Sequence, residues 1–171
     1  MDLKEVHSFI LNFLLKKVDM NIIITKNSEE TRSIASEMAK NILSVQSQDK
    51  LAVVIALEGV LGAGKTTFTQ GFAEGLGLKD DVRSPTFVIL KEYHMELSDK
   101  NLRFKNFYHI DCYRLKDEKD IKDIGLSEIL KNPENIILIE WAGNIKKALP
   151  KNCIKIKFYY ISENKRKISI Q

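Results

Sequence analysis

LAVVIALEGVLGAGKTTFTQ, residues 51–70, is the stretch that decides the fold. Residues 51–57 form an unbroken apolar run, the pattern of a strand covered on both faces of a sheet. Residues 68–76 read as a helix, with Gly77 as its terminator. Between them Gly59, Gly64, Lys65 and Thr66 fall at the positions of G-x-x-x-x-G-K-[ST]. Strand before and helix after are the context that makes this motif a phosphate-binding loop. Its glycines, with Ala63 between the last two, let backbone N–H groups converge on phosphate oxygens without a Cβ in the way. The helix behind presents its positive end to the anion. Lys65 suits the β- and γ-phosphates as a mobile point charge, and the Thr66 hydroxyl suits Mg²⁺. Thr67 lies where the α-phosphate would pass. The expected binding set is therefore Gly59, Gly62, Ala63, Gly64, Lys65, Thr66 and Thr67. An Asn-Lys-x-Asp guanine-reading motif is absent from the sequence, which favours ATP over GTP.

Outward from the loop, strands and helices alternate, which predicts an α/β fold. Residues 21–26 read as a short strand. Ser28 reads as the N-cap of a helix over 29–44, with Glu29 and Glu30 in the first turn and Ile34, Ala35, Met38, Ala39 and Ile42 at helical spacing. Residues 84–93 and 105–113 read as strands joined by a polar hairpin loop. Residues 116–123 are charged and read as an exposed stretch, and 126–131 as a short helix. Residues 136–139 (IILI) read as a buried strand, and 153–161 and 167–170 as closing strands.

The 171 residues make one domain, with 44% hydrophobic and 29% charged residues. That is ordinary globular usage and excludes a disordered chain or a polytopic membrane protein. Two cysteines, Cys112 and Cys153, are too few for a disulfide scaffold, and free thiols fit a cytoplasmic location. The net charge of +4 is unevenly spread. From Trp141 onward eight basic residues stand against the single acid Glu163, leaving the preceding part slightly acidic. A basic region of this kind suits an acidic protein or RNA, or is simply a solvated lysine-rich edge. Residues 1–20 read as an extension. Val6, Phe9, Ile10, Phe13 and Leu14 fall on one helical face, but the apolar run 9–15 is too short to span a bilayer. The segment is either an amphipathic helix or an artefact of a start at Met20. The domain proper is 21–171.

A phosphate-binding loop needs a carboxylate from a second strand to hold Mg²⁺ or its water. Glu140 directly follows the apolar strand 136–139, at the carboxyl end where ligands bind in open α/β sheets. Asp111 is the second acid. It alternates with His109 and Tyr113 on one strand face, away from Tyr108, Ile110 and Cys112, and could orient the attacking water. Ser84-Pro85-Thr86 is either a Pro-containing turn or a hydroxyl-bearing switch near the γ-phosphate. The five arginines are scattered, with no lid-like pair; Arg114 lies nearest the motif face.

Taken together, GVLGAGKTT (59–67), SPTF (84–87), HIDCYRL (109–115) and IEWA (139–142) resemble the TsaE (YjeE) family over about residues 21–165. The loop alone is common; the four blocks in this order are specific. The resemblance implies a three-layer P-loop NTPase-like α/β domain, its central mixed sheet flanked by helices. It also implies an ATPase, slow alone, that uses ATP and Mg²⁺ to activate or reset the complex forming N6-threonylcarbamoyladenosine at position 37 of tRNAs. The implied partners are TsaD-like and TsaB-like subunits, with tRNA reached indirectly and no membrane. Lys65, Asp111 and Glu140 are then the catalytic residues, with Thr66 and Glu140 at the metal. Val60 departs from the acidic residue the family often carries after the first glycine. Two other classes compete, a small-molecule kinase and a nucleotide-sensing module that does not hydrolyse. The missing arginine lid weighs against the kinase.

Overall fold

A computed structural model describes residues 22–44, 51–78, 89–96, 102–115 and 118–171. Seven strands make one mixed sheet: β1 (Ile22–Thr25), β2 (Val53–Glu58), β3 (Leu90–His94), β4 (Asn106–Asp111), β5 (Asn135–Glu140), β6 (Ile154–Tyr160) and β7 (Arg166–Ile170). Their order is β1-β7-β6-β2-β5-β4-β3. The four central strands β6, β2, β5 and β4 run parallel, so their carboxyl ends share one edge. β3 pairs antiparallel with β4, as the expected hairpin requires, and β7 pairs antiparallel with both β6 and β1.

The apolar runs behave as central strands must. Val53 to Leu57 and all six residues of β5 are buried, because helices cover both faces of these strands. On one face α1 (Ser28–Ser44) and α2 (Lys65–Gly75) enclose a core built from Met38, Ile42, Phe68, Phe72, Ile55, Leu57 and Phe107. On the other, α3 (Glu118–Asp123), α4 (Leu126–Lys131) and a 3₁₀ helix (Ala142–Ala148) cover Val54, Ala56, Ile110, Ile137 and Ile139. The sheet is thus the middle of three layers. No helix among the described residues is long and apolar enough to cross a membrane.

Several local expectations need correction. The cap of α1 is Asn27, not Ser28. Its Oδ1 accepts the Glu30 N–H at 2.7 Å, and the Glu30 carboxylate accepts the Lys26 N–H at 2.7 Å. This is close to a capping box, with the amide of asparagine in place of a hydroxyl. Thr31 is buried and donates to Thr25 Oγ1 at 2.9 Å, tying α1 to β1. The charged stretch contains helix α3, and residues 142–148 form a 3₁₀ helix that the sequence reading passed over. β4 ends at Asp111, so Tyr113 lies beyond the strand and is exposed. β3 begins at Leu90. The expected start of that strand, and with it Ser84-Pro85-Thr86, lies outside the described residues, as do residues 1–21.

Candidate functional site

The loop follows β2 directly and ends at the first turn of α2. Three of its glycines adopt positive φ: Gly59 (152°), Gly62 (74°) and Gly64 (101°). At Gly59 a β-carbon would stand 2.7 Å from the Phe158 carbonyl oxygen, so the loop can lie this close to β6 only without one. Gly64 caps α2 in the left-handed region, and Ala63 beside it is fully buried, its N–H donated to the Val60 carbonyl at 3.2 Å. Gly62, Gly64, Lys65, Thr66 and Thr67 line a cavity of about 460 Å³ together with Asp111, Tyr113, Glu140, Trp141 and Arg166. Most of the binding set, and both expected acids, therefore meet around one space. Gly59 and Ala63 shape the loop from outside that lining.

Lys65 opens α2 and is only 4% exposed. Its ammonium donates to the carbonyls of Gly59 (2.8 Å) and Val60 (3.0 Å) and lies 4.0 Å from the centre of the Trp141 ring. Burial pulls its pKa below the ordinary lysine value, while Glu140 and Asp111 pull the other way. Trp141 holds this position through a left-handed backbone (φ 57°), uncommon for a residue with a side chain. That turn ends β5 sharply and lays the indole across the mouth of the loop, where it meets Tyr113 at 4.9 Å.

Glu140 is 2% exposed and held from two elements. Its Oε2 accepts the Thr66 hydroxyl at 3.0 Å. Its Oε1 lies 3.0 Å from the Thr69 hydroxyl and 3.0 Å from His109 Nε2. Asp111 is the direct neighbour of Glu140 across the β4–β5 ladder, and its Oδ1 accepts the Tyr113 N–H at 3.0 Å.

Three participants escaped the sequence reading. His109 shares the Asp111 face by alternation, which by itself assigns it no role. Thr69 reads as a helix residue four positions after Lys65, a spacing that does put it on the same helix face. Arg166 sits on β7, the last strand, with no sequence signal pointing to the loop. It lines the cavity, whereas Arg114 is exposed and is not among its lining residues. A second cleft of about 140 Å³ adjoins Gly64 and Thr67 and is bounded by Asn27, Thr31, Asn164 and Arg166.

Known proteins share the sequence and the fold of this chain. The family model described as "Threonylcarbamoyl adenosine biosynthesis protein TsaE" matches residues 25–168. A tRNA threonylcarbamoyladenosine biosynthesis protein TsaE of Bacillus subtilis is 41% identical over 145 residues, covering 85% of this chain and 81% of that protein. A protein of the same description from Aquifex aeolicus is 35% identical over 150 residues, covering 86% and 93%. The crystal structure of YdiB, also from Bacillus subtilis, superposes with a TM-score of 0.64 at 35% identity, covering 87% of this chain and 82% of that one. The chain belongs to the TsaE family.

Proposed function

We propose that this chain binds ATP with Mg²⁺ and hydrolyses it to activate or reset the machinery that forms threonylcarbamoyladenosine on tRNA. Membership of the TsaE family supports the pathway. The observation that carries the chemistry is the convergence of Lys65, Thr66, Asp111 and Glu140 on one cavity at the end of a glycine loop.

The residues fit the roles. Lys65 exchanges its two loop carbonyls for phosphate oxygens, which return a full anionic partner to a buried cation. The left-handed glycines leave backbone N–H groups and the start of α2 facing the same anion. The oxygens of Thr66 and Glu140, 3.0 Å apart at the cavity wall, are the hard donors that Mg²⁺ prefers. When bound there, Mg²⁺ supplies positive charge to the phosphate oxygens as the γ-phosphoryl group departs. Asp111, on the neighbouring strand end, orients the attacking water. The smaller cleft past Thr67 takes the base, with Arg166 between base and phosphates; the Arg166 guanidinium stacks at 4.8 Å on Tyr160 behind it. TsaD-like and TsaB-like subunits are the proposed partners, and tRNA is reached through them.

Calorimetry of ATP and ADP, with Mg²⁺ and with chelator, tests the reading together with phosphate release in the presence and absence of those partners. Lys65→Ala is expected to lose on the order of a hundredfold in nucleotide affinity, since a charge-assisted contact to a buried site contributes a few kcal/mol. Unchanged affinity in that variant would remove the loop from the proposed function. Phosphate transfer to a nucleoside, in place of release to water, would move the chain to the kinases.

A further inference from the structure

Glu140 has two oxygens with unequal company. Oε2 faces the Thr66 hydroxyl and the cavity. Oε1 points inward to Thr69 and His109. The Thr69 hydroxyl carries one hydrogen, and the Lys65 carbonyl also stands 3.0 Å from it, so that hydrogen is contested. The donor on His109 is not contested. A carboxylate oxygen can only accept, so the hydrogen between the two belongs to Nε2. The other ring nitrogen, Nδ1, is buried and has no partner among the described residues. A fully buried imidazole with one nitrogen unsatisfied among the described residues is costly. Its polar contact among the described residues is Glu140.

We infer that His109 is a positioning residue for Glu140. Its Nε2–H pins Oε1 inward, so that Oε2 is the oxygen presented to Thr66 and to a divalent cation. The parallel ladder makes this possible. Asp111 and Glu140 are register partners at the strand ends, which sets His109 two residues back on β4, level with Leu138 and beneath the Glu140 carboxylate. His109 is not among the residues lining the loop cavity, so its route to a bound cation there is through Glu140. This inference rests on the proposed Mg²⁺–nucleotide binding.

The test compares His109→Leu, which keeps apolar bulk and removes the donor, with His109→Gln, whose amide N–H₂ can reach the same place. Mn²⁺ binding in the presence of ADP, followed by electron paramagnetic resonance, is the main readout, with ADP binding in chelator alongside. Residues that orient a metal's ligands typically contribute 10–100-fold to metal affinity, so His109→Leu is expected to lose at least about tenfold. His109→Gln should recover most of that loss. ADP binding in chelator should be unchanged in both. Equal Mn²⁺ affinity in wild type and His109→Leu overturns the inference, as does a Gln variant no better than the Leu variant. If wild type itself binds no Mn²⁺ with ADP, the proposed function falls and this inference with it. Should His109→Leu fail to fold, the ¹⁵N signals of the His109 ring in the wild type decide. A hydrogen on Nε2 is expected; an Nε2 that carries none overturns the inference.

Discussion

Gly71 sits in the interior of α2, where helix propensity alone makes it a defect. Replacing it by alanine in an unconstrained helix would stabilise by about 1 kcal/mol. The structure predicts the opposite sign. A β-carbon on Gly71 would stand 2.7 Å from the Arg32 carbonyl carbon in α1, and closer still to that residue's carbonyl oxygen and Cα. All three neighbours are backbone, so no side chain can rotate away. Non-bonded carbons settle at about 3.5–4.0 Å, so α1 must retreat by about 1 Å. Gly75, one turn on, has the same relation to Ser36 and Ala39, so the helices cannot pivot about that end to make room. A gap of this size forfeits a quarter to a half of each contact across it, here those among Ala35, Met38, Ile42 and Phe72. Overpacking of a core typically costs 1–3 kcal/mol, and a backbone clash belongs at the upper end. Offset by propensity, Gly71→Ala is expected to destabilise by about 2 kcal/mol. For a domain of this size that lowers Tm by roughly 4–8 °C. Urea unfolding followed by circular dichroism, with a thermal melt beside it, measures both. Gly77→Ala is the control: φ is +81° and no described residue lies within 4 Å of the added β-carbon, so the left-handed backbone is what is taxed, at about 1 kcal/mol. A Gly71→Ala protein as stable as wild type, or more so, would refute the close approach of α1 and α2.

Two further outcomes are expected. Asp111→Ala should leave ADP affinity within a few-fold of wild type and lower turnover by at least about tenfold, because its proposed contact is made late on the reaction path; a large loss of ADP affinity would make Asp111 part of ground-state binding. The Cys112 thiol is fully buried, and burial, with Asp111 beside it, pushes its pKa up to about 12. The thiolate is the reactive species, so at pH 7–8 Cys112 should resist iodoacetamide until the protein unfolds, and labelling at the rate of a free cysteine would show that the β4 end opens locally.

What the sequence disclosed and what it withheld divide along a physical line. The loop, β2 and β5 were legible because each is specified locally. Glycines at fixed spacing mark the backbone geometry, and residues 53–57 and 136–139 are apolar throughout because both faces are covered. Glu140 was legible for the same reason, as an acid placed where such a run stops. Asp111 was legible by alternation; of the residues alternating with it, His109 is buried as Asp111 is, and Tyr113, beyond the strand end, is exposed. Arg166 could not be found this way. It reaches the cavity because β7 turns back antiparallel on β6, which borders β2, and that neighbourhood exists only in the assembled sheet. His109 was hidden by its own burial, since an isolated histidine in a strand gives no hint of which carboxylate the next strand will bring beside it. Gly71 and Gly75 were read as ordinary helix residues, because the backbone they admit belongs to another helix. Asn27 displaced Ser28 as cap through a one-residue shift, the scale on which helix ends are hardest to place.

The same assembly explains why the proposed function includes a divalent cation and not the loop alone. Four charged side chains line the cavity: Lys65 and Arg166 against Asp111 and Glu140. Their formal charges cancel. A triphosphate entering this space brings several negative charges, and no further cation among the described lining residues matches them. It also meets two carboxylates that are 4% and 2% exposed and thus weakly screened by solvent. Loop N–H groups and the helix end offer only partial charges. Of the two acids, Glu140 has one oxygen committed inward and the other directed at a threonine hydroxyl on the loop's own helix. Under the proposed function, Glu140 shares a cation with the nucleotide and so no longer repels it. Under the proposed function, affinity for ATP should accordingly fall much further on removing Mg²⁺ than affinity for ADP, whose charge is smaller and lies deeper against the loop.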